Sequence, residues 1–453
     1  MYPRDTIAAI ATAAGVGAVA VIRVSGPGAS EVATRVFRER PPERWRSHRL
    51  YLGRFVDTEG RDLDRGLAVI MRAPHSYTGE DVLELHSHGG ALVARRVLGA
   101  VLDAGARAAR PGEFTARALL NGKLDLAQAE SVADVVGAST DAALRVAVDQ
   151  LGGALSQWVS GMRERLIDIS AHLEVAIDFS EDDVGELDRT ALAADTAGVE
   201  RALLDLAATH AHGRILREGL RVAIVGKPNV GKSSLLNHLL QTERAIVTPI
   251  PGTTRDTLEE TLDLEGVPVV LVDTAGIRGV DSEVERLGID RTRAQIVAAD
   301  LVIVMLDSSR PFATEDQTVL DATRQKSRIL LINKADLTQE LVFNGEADFS
   351  ARIRASLVDG RGIDSLKREI VATGLSGPAF NEGVVILRER HRSALELAAR
   401  AAGSAARSLS AGHPADLVAV DVMTALDHLG NIVGTTSSED VLDRIFSEFC
   451  IGK

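Results

Sequence analysis

Cysteine is almost missing from this chain: Cys450 is one residue among 453. A single thiol excludes an internal disulfide framework and fits a reducing compartment, the cytoplasm. Aromatic residues make up only 3%, so aliphatic side chains must fill the cores. No uncharged apolar run reaches the ~18 residues of a membrane-spanning helix. The opening MYPRDTIAAIATAAGVGAVAVIRVSG lacks signal-peptide anatomy, because glycines break its apolar part and it alternates as a strand does. Excess positive charge is lacking as well. A net charge of −13 opposes nonspecific coating of nucleic acid, whose affinity comes mainly from cation contacts to phosphate. Arginines do crowd residues 35–54 and 387–392, where neighbouring glutamates predict solvated ion pairs.

What the chain has is enough length for about three domains and a change of pattern along it. Residues 1–120 alternate strand-like and helix-like runs, which predicts an α/β domain. SYTGEDVLELHSHGG and RPGEFTARALLNGKLDLAQAE within it are rich in turn residues and charge, a composition more typical of binding loops than of core. His86 and His88 would share a strand face, yet no third ligand is spaced nearby, so hydrogen-bonded structural histidines are expected rather than a metal site. Residues 121–217 are Ala- and Leu-rich with helical spacing, and the same character resumes in 378–453. One helical bundle interrupted by an inserted domain, residues 218–377, is compatible with that pattern.

The inserted domain carries the chemistry. GKPNVGKS, residues 226–233, fits the phosphate-binding pattern between the strand-like RVAIV and the helix-like SLLNHLL. A strand, a glycine-rich turn and a helix start aim backbone N–H groups at one concavity suited to a polyphosphate. Asn229, Val230, Gly231, Lys232, Ser233 and Ser234 would line it, with Lys232 reaching the β and γ phosphates and Ser233 ligating Mg²⁺. DTAG supplies Asp273, Thr274, Ala275 and Gly276 near the γ-phosphate, and TPIPGTTRDT supplies Thr254 as a second Mg²⁺ oxygen. NKAD selects the base: Asp336 accepts two hydrogen bonds from guanine, and Asn333 meets the other edge, with Lys334 between them. Four such signatures in order at strand ends define a guanine-nucleotide domain. Ile277 stands where Ras-like enzymes orient water with glutamine. Arg255, Asp256, Arg278, Glu283 and Glu285 are nearby candidates for that work, and spacing does not choose between the two glutamates.

With DTIAAIAT, VIRVSGPGA, SYTGEDVLELHSHGG, RPGEFTARALLNGKLDLAQAE, the nucleotide motifs and the terminal DVLDRIFSEFCIGK, the chain closely resembles the MnmE (TrmE) family of tRNA modification GTPases. The resemblance implies an N-terminal domain that dimerises and binds 5,10-methylenetetrahydrofolate or 5-formyltetrahydrofolate. It also implies a discontinuous helical bundle with an inserted Ras-like P-loop GTPase domain. Homodimers of such proteins form a heterotetramer with an FAD- and NADH-dependent partner of the MnmG/GidA type and modify carbon 5 of the wobble uridine in tRNA. Carried over by motif, Arg23, Glu84, Lys123 and Lys453 would hold the folate. Asn229, Thr248, Ile250 and Thr253 would hold K⁺, Glu285 would orient water, and Cys450 would take part in modification. Ser356 and Leu357 stand where the last base-contacting motif usually reads Ser-Ala, and Ser87 stands where many members have cysteine. A regulatory RNA-binding or ribosome-assembly GTPase is the competing reading, since such factors share Asn229, Ile277 and the TTRD loop. The N-terminal motifs and the CIGK end favour the modification enzyme.

Overall fold

The computed structural model describes residues 5–38, 45–178, 188–242, 260–272, 296–343, 349–374, 383–435, 439–447 and 449–452. The alternating runs of the first hundred residues form seven strands: β1 (Ile7–Ile10), β2 (Val19–Ser25), β3 (Phe37–Arg38), β4 (Tyr51–Val56), β5 (Asp62–Met71), β6 (Val82–His88) and β7 (Arg107–Ala108). They lie in the order β3-β4-β5-β6-β2-β1-β7, antiparallel except where β7 joins β1. Alternation sends Ile22 and Val24 of β2 into a core with Phe55, Ile70 and Leu85, capped by helices α1 (Ala29–Val36) and α2 (Ala91–Asp103). Arg23, between them in sequence, faces the other side.

The stretch 110–130, whose composition reads as a binding loop, is largely helix: α3 (Glu113–Leu120) and the start of α4 (Leu126–Gly137), the latter within the run expected to be helical. The charge in this stretch is divided between one helix cap and buried ion pairs of Glu113, Arg117 and Glu130. Asp125 accepts from the Gln128 backbone N–H, and the Gln128 side chain accepts from that of Asp125, a reciprocal cap. Helices α5 (Asp141–Leu151), α6 (Ala154–Asp178), α7 (Arg189–Ala208) and α8 (His210–Glu218) follow.

Next comes a second sheet: β8 (Leu220–Gly226), helix α9 (Lys232–Thr242), β9 (Glu260–Leu264), β10 (Val267–Leu271), β11 (Leu301–Asp307), α10 (Thr314–Ala322), β12 (Ser327–Asn333), β13 (Ala351–Arg354) and α11 (Ile363–Gly374). Its order is β13-β12-β11-β8-β10-β9, parallel throughout except for the β9–β10 hairpin. β11 is buried along its whole length, the signature of a parallel strand covered on both faces. Neighbours on opposite sides of β8 are reached by opposite crossovers, so its carboxyl end opens a crevice.

The chain then returns as α12 (Glu389–Ser410), α13 (Ala415–Val433) and α14 (Glu439–Ser447). Helices α6, α7, α12 and α13 share one core, including Leu155, Leu166, Leu203, Leu395, Val422 and Leu429. Each fully buried leucine or valine contributes roughly 1.5–3 kcal/mol. Ala398, Ala402 and Ala405 on α12 let α7 approach closely. One bundle is thus built from segments on both sides of the inserted P-loop domain. The arginines of 387–392 differ from expectation: Arg388 and Arg390 turn inward onto Asp134 and Glu130 of α4, because α12 begins where it packs on that helix.

Candidate functional site

At the carboxyl end of β8 the chain turns through residues 227–231 into α9. Gly231 has φ +108, and a Cβ there would lie 2.4 Å from Asn333 Nδ2, so only glycine permits this approach. Asn229, at φ +63, is exposed on the rim, whereas Val230 is buried in the sheet core. Lys232 Nζ donates to the carbonyls of Gly226 and Lys227, each at 2.8 Å. Burial lowers the pKa of that ammonium, and a phosphate anion in the concavity would restore its charge balance. Ser233 and Ser234 lie exposed in the first turn of α9. Ser233 offers one hard oxygen of the kind Mg²⁺ takes.

The base-reading motif lies across the same crevice. Asn333 ends β12, is 3% exposed, and donates from Nδ2 to the Val230 carbonyl at 2.8 Å, tying it to the phosphate loop. Its Oδ1 is buried without a hydrogen-bond partner among the described residues. Asp336 is exposed. Leu357 brings its Cδ1 within 3.3 Å of the Cβ position at Gly231, and Ser356 is fully buried beside it. Leucine at 357 therefore packs on the phosphate loop.

Asp307, at the end of β11, had no assigned role in the sequence. Its Oδ2 lies 2.6 Å from Lys334 Nζ, and its Oδ1 accepts from the Ser309 N–H and hydroxyl. Burial raises its pKa, but Lys334 and Ser309 more than offset this and hold it below the usual range. The acid closing the run LVIVMLD was the available signal.

Of the other predicted positions, Thr248, Ile250, Thr253, Thr254, Arg255, Asp256, Asp273, Thr274, Ala275, Gly276, Glu285 and Lys453 lie outside the described residues. Arg23 and Glu84 are cross-strand partners, with Nε 2.9 Å from Oε1. The guanidinium lies over the rings of Tyr77 and Phe114, 5.4 and 5.9 Å from their centroids. Burial raises the Tyr77 phenol pKa against the opposing hydrogen bond with Thr115. Tyr77 sits in the SYTGEDV stretch but was not singled out. Lys123 is exposed and donates to the Pro74 carbonyl at 3.2 Å. His86 pairs with Glu84 at 3.5 Å and His88 with Asp64 at 2.8 Å. Among the described residues no three His, Cys, Asp or Glu side chains group as metal ligands. Ser87 is buried, with its hydroxyl directed at the Ala20 and His88 carbonyls.

Cys450 follows α14 and is half-buried. With Phe449, Asp134, Arg217 and Arg388 it lines a cavity of about 360 Å³. The terminal segment also touches the N-terminal sheet: a Cβ at Gly452 would lie 2.4 Å from the Ile10 carbonyl oxygen.

A glycine loop between strand and helix, joined to a guanine-type base motif on a six-stranded sheet, defines a P-loop GTP hydrolase domain. A family model described as the MnmE helical domain matches residues 126–450, and one described as the GTP-binding protein TrmE N-terminus matches residues 6–123. The tRNA modification GTPase MnmE of Moorella thermoacetica is 48% identical across 99% of both chains. That of Geobacter sulfurreducens is 46% identical across 100% of both. A solved G domain of the T. maritima FeoB iron transporter is 25% identical, covering 34% of this chain and 98% of its own, at a TM-score of 0.24 that is too low to bear on the fold. The chain belongs to the MnmE family of tRNA modification GTPases. No helix among the described residues is long and apolar enough to cross a membrane.

Proposed function

We propose that this chain hydrolyses GTP in a K⁺-dependent cycle and, with an FAD-dependent partner, modifies carbon 5 of the wobble uridine of tRNA. The Asn333 bond to the Val230 carbonyl, which joins base selection and phosphate binding in one crevice, is the observation that carries the GTP half. Asp336 accepts two hydrogen bonds from the guanine edge. At about 1.5–3 kcal/mol each, these give a preference of roughly 10² to 10⁴ over adenine. Lys232 leaves its two carbonyls for the β and γ phosphates, while the N–H groups at the start of α9 hold their oxygens.

Ser233 and Thr254 would hold Mg²⁺, which neutralises phosphate charge. Asn229 would share K⁺ with oxygens of Thr248, Ile250 and Thr253, and this ion supplies positive charge at the developing phosphate charge, as an arginine finger does elsewhere. The positive φ and exposure of Asn229 suit an oxygen presented outward. With Ile277 in the glutamine position, Glu285 orients the attacking water, and Arg255 and Asp256, which follow Thr254 in sequence, are the further catalytic candidates.

In the N-terminal domain, Arg23, Glu84, Lys123 and Lys453 would bind the tetrahydrofolate, which supplies a one-carbon unit. The paired Arg23 and Glu84 beside the Tyr77 and Phe114 rings support this reading: cations suit a glutamyl tail, and a carboxylate with flat rings suits a pterin. A homodimer working in the cytoplasm completes the proposal.

GTP turnover in K⁺ against Na⁺ tests the ion, and equal rates remove it. Mass analysis of wobble nucleosides from cells lacking the chain tests the reaction, and intact modification refutes it.

A further inference from the structure

We propose that Asp134 is a positioning residue that closes the two passages between the bundle and the GTP-binding domain into one joint, so that movement of that domain reaches the wall of the Cys450 cavity. The outgoing passage ends in α8 and the returning one begins at α12. Asp134 lies on α4, with its side chain 6% exposed, and its Oδ1 accepts from both: Arg217 Nε of α8 at 3.1 Å and Arg388 Nη2, at the start of α12, at 2.8 Å.

The passages also touch each other. The Ile386 N–H donates to Thr209 Oγ1 at 3.0 Å, and a Cβ on Gly213 of α8 would lie 2.1 Å from the Ile386 carbonyl oxygen. Buried Gln150 of α5 donates to the Val385 carbonyl at 2.5 Å. Two independent linkers would let the domain swing without disturbing the bundle. Here both passages bear on one carboxylate, so rotation about either alters its separation from both arginines.

The joint adjoins the C-terminal segment. Ala129, Val132 and Ala133 of α4 pack with Phe446 and Phe449, and Asp134, Arg217 and Arg388 line the same cavity as Cys450. Asp134 Oδ2 and Arg388 Nε are buried without a hydrogen-bond partner among the described residues. A network left incomplete in this way is a poor static lock, and rearranging it forfeits fewer bonds than rearranging a saturated one. The geometry therefore suits a coupling with two settings.

The test uses the full chain with nitroxide labels on Asp364→Cys in α11 and Glu164→Cys in α6, both exposed positions, in a Cys450→Ala background. With Asp134 intact, the interlabel distance distribution is expected to be narrow in GDP and in a GTP analogue. Asp134→Asn should broaden it about twofold, and Arg217→Gln, which spares the Arg388 pair, should broaden it less. Equal widths overturn the joint. A second arm rests on the proposed function and keeps Cys450. There Asp134→Asn should leave GTP turnover within about twofold while wobble-uridine modification falls roughly tenfold or more. Turnover and modification falling together, or neither falling, overturns the coupling. Should Asp134→Asn not fold, Arg217→Gln carries both arms. If the parent chain modifies no tRNA, the proposed function fails and the distance arm still decides the joint.

Discussion

Two polar regions of this molecule treat buried groups in opposite ways. Around Glu113, in the N-terminal domain, both carboxylate oxygens are used twice. Oε1 accepts from Arg107 and Arg117, and Oε2 from Arg107 and the Arg110 N–H. Arg117, 3% exposed, reaches on to Asp5 and Glu80. Burial raises the Glu113 pKa, but Arg107 with the other donors outweighs it, and the net shift is downward. In the nucleotide crevice, Lys232 rests on two carbonyls, Asn333 Oδ1 has no hydrogen-bond partner among the described residues, and Asp336 faces solvent. A carboxylate whose two oxygens are both doubly used serves the fold, and polar groups left under-bonded at strand ends await a ligand.

That contrast breaks if substitutions in the two regions do the same thing. Asp336→Asn should cost about 3–6 kcal/mol of GTP binding, with preference moving toward xanthosine nucleotides and thermal stability nearly unchanged. Unchanged GTP affinity by calorimetry refutes the base assignment. Glu113→Ala should do the reverse. It leaves Arg117 buried without one of its carboxylates, at a cost of about 3–5 kcal/mol of folding stability, and GTP affinity should hold. A urea midpoint equal to the parent's would show that the Glu113 cluster contributes nothing.

Asn333→Ala sharpens the comparison because Asn333 belongs to both kinds of contact. It removes the bond to the Val230 carbonyl and the free oxygen together, so GTP affinity should fall by about 1–3 kcal/mol, with a smaller loss of stability. If only stability falls, Asn333 is a brace for the phosphate loop and no reader of the base.

The two nucleotide motifs within the described residues were legible because each is a short contiguous string at a strand end, and strand order brings them together. The P-loop residues 226–233 and the NKAD run needed no knowledge of packing. The joint was not legible, because Arg388 and Asp134 are 254 residues apart in sequence, and as a sequence the arginines of 387–392 read as a solvated run. Residues 110–130 misled for a related reason: glycines at the helix ends, the Asp125 cap and the ion-paired Glu113, Arg117 and Glu130 look like loop composition until their partners are seen. β9 and β13 went unread because ETLDL and ARIR are edge strands with little apolar signal.

The smallest expected effect lies one turn from Asp134 on α4. Glu130 is 2% exposed and accepts from His391 Nε2 at 2.8 Å and from Arg390. Burial raises its pKa, but His391 and Arg390 dominate and hold the carboxylate far below its ordinary range. His391 is fully buried, and burial first, with the Arg390 and Arg388 charges, lowers its pKa despite Glu130. Its Nδ1 has no hydrogen-bond partner among the described residues, which fits a neutral ring donating from Nε2, since an idle lone pair costs less than an idle buried N–H. A histidine kept neutral when folded binds fewer protons than its unfolded counterpart near pH 6. Stability conferred by that ring is therefore complete above the unfolded pKa of about 6.5 and declines as pH falls toward the folded value. Lowering pH from about 7.5 to 5.5 should reduce stability through this group, by at most about 1.4 kcal/mol, the limit set by the unfolded pKa. His391→Gln should flatten that part of the urea-midpoint profile while leaving the loss below about pH 4.5 that comes from Glu130. An unchanged slope between pH 7.5 and 5.5 would mean that His391 is already protonated in the folded chain, and that the α4 network is saturated after all.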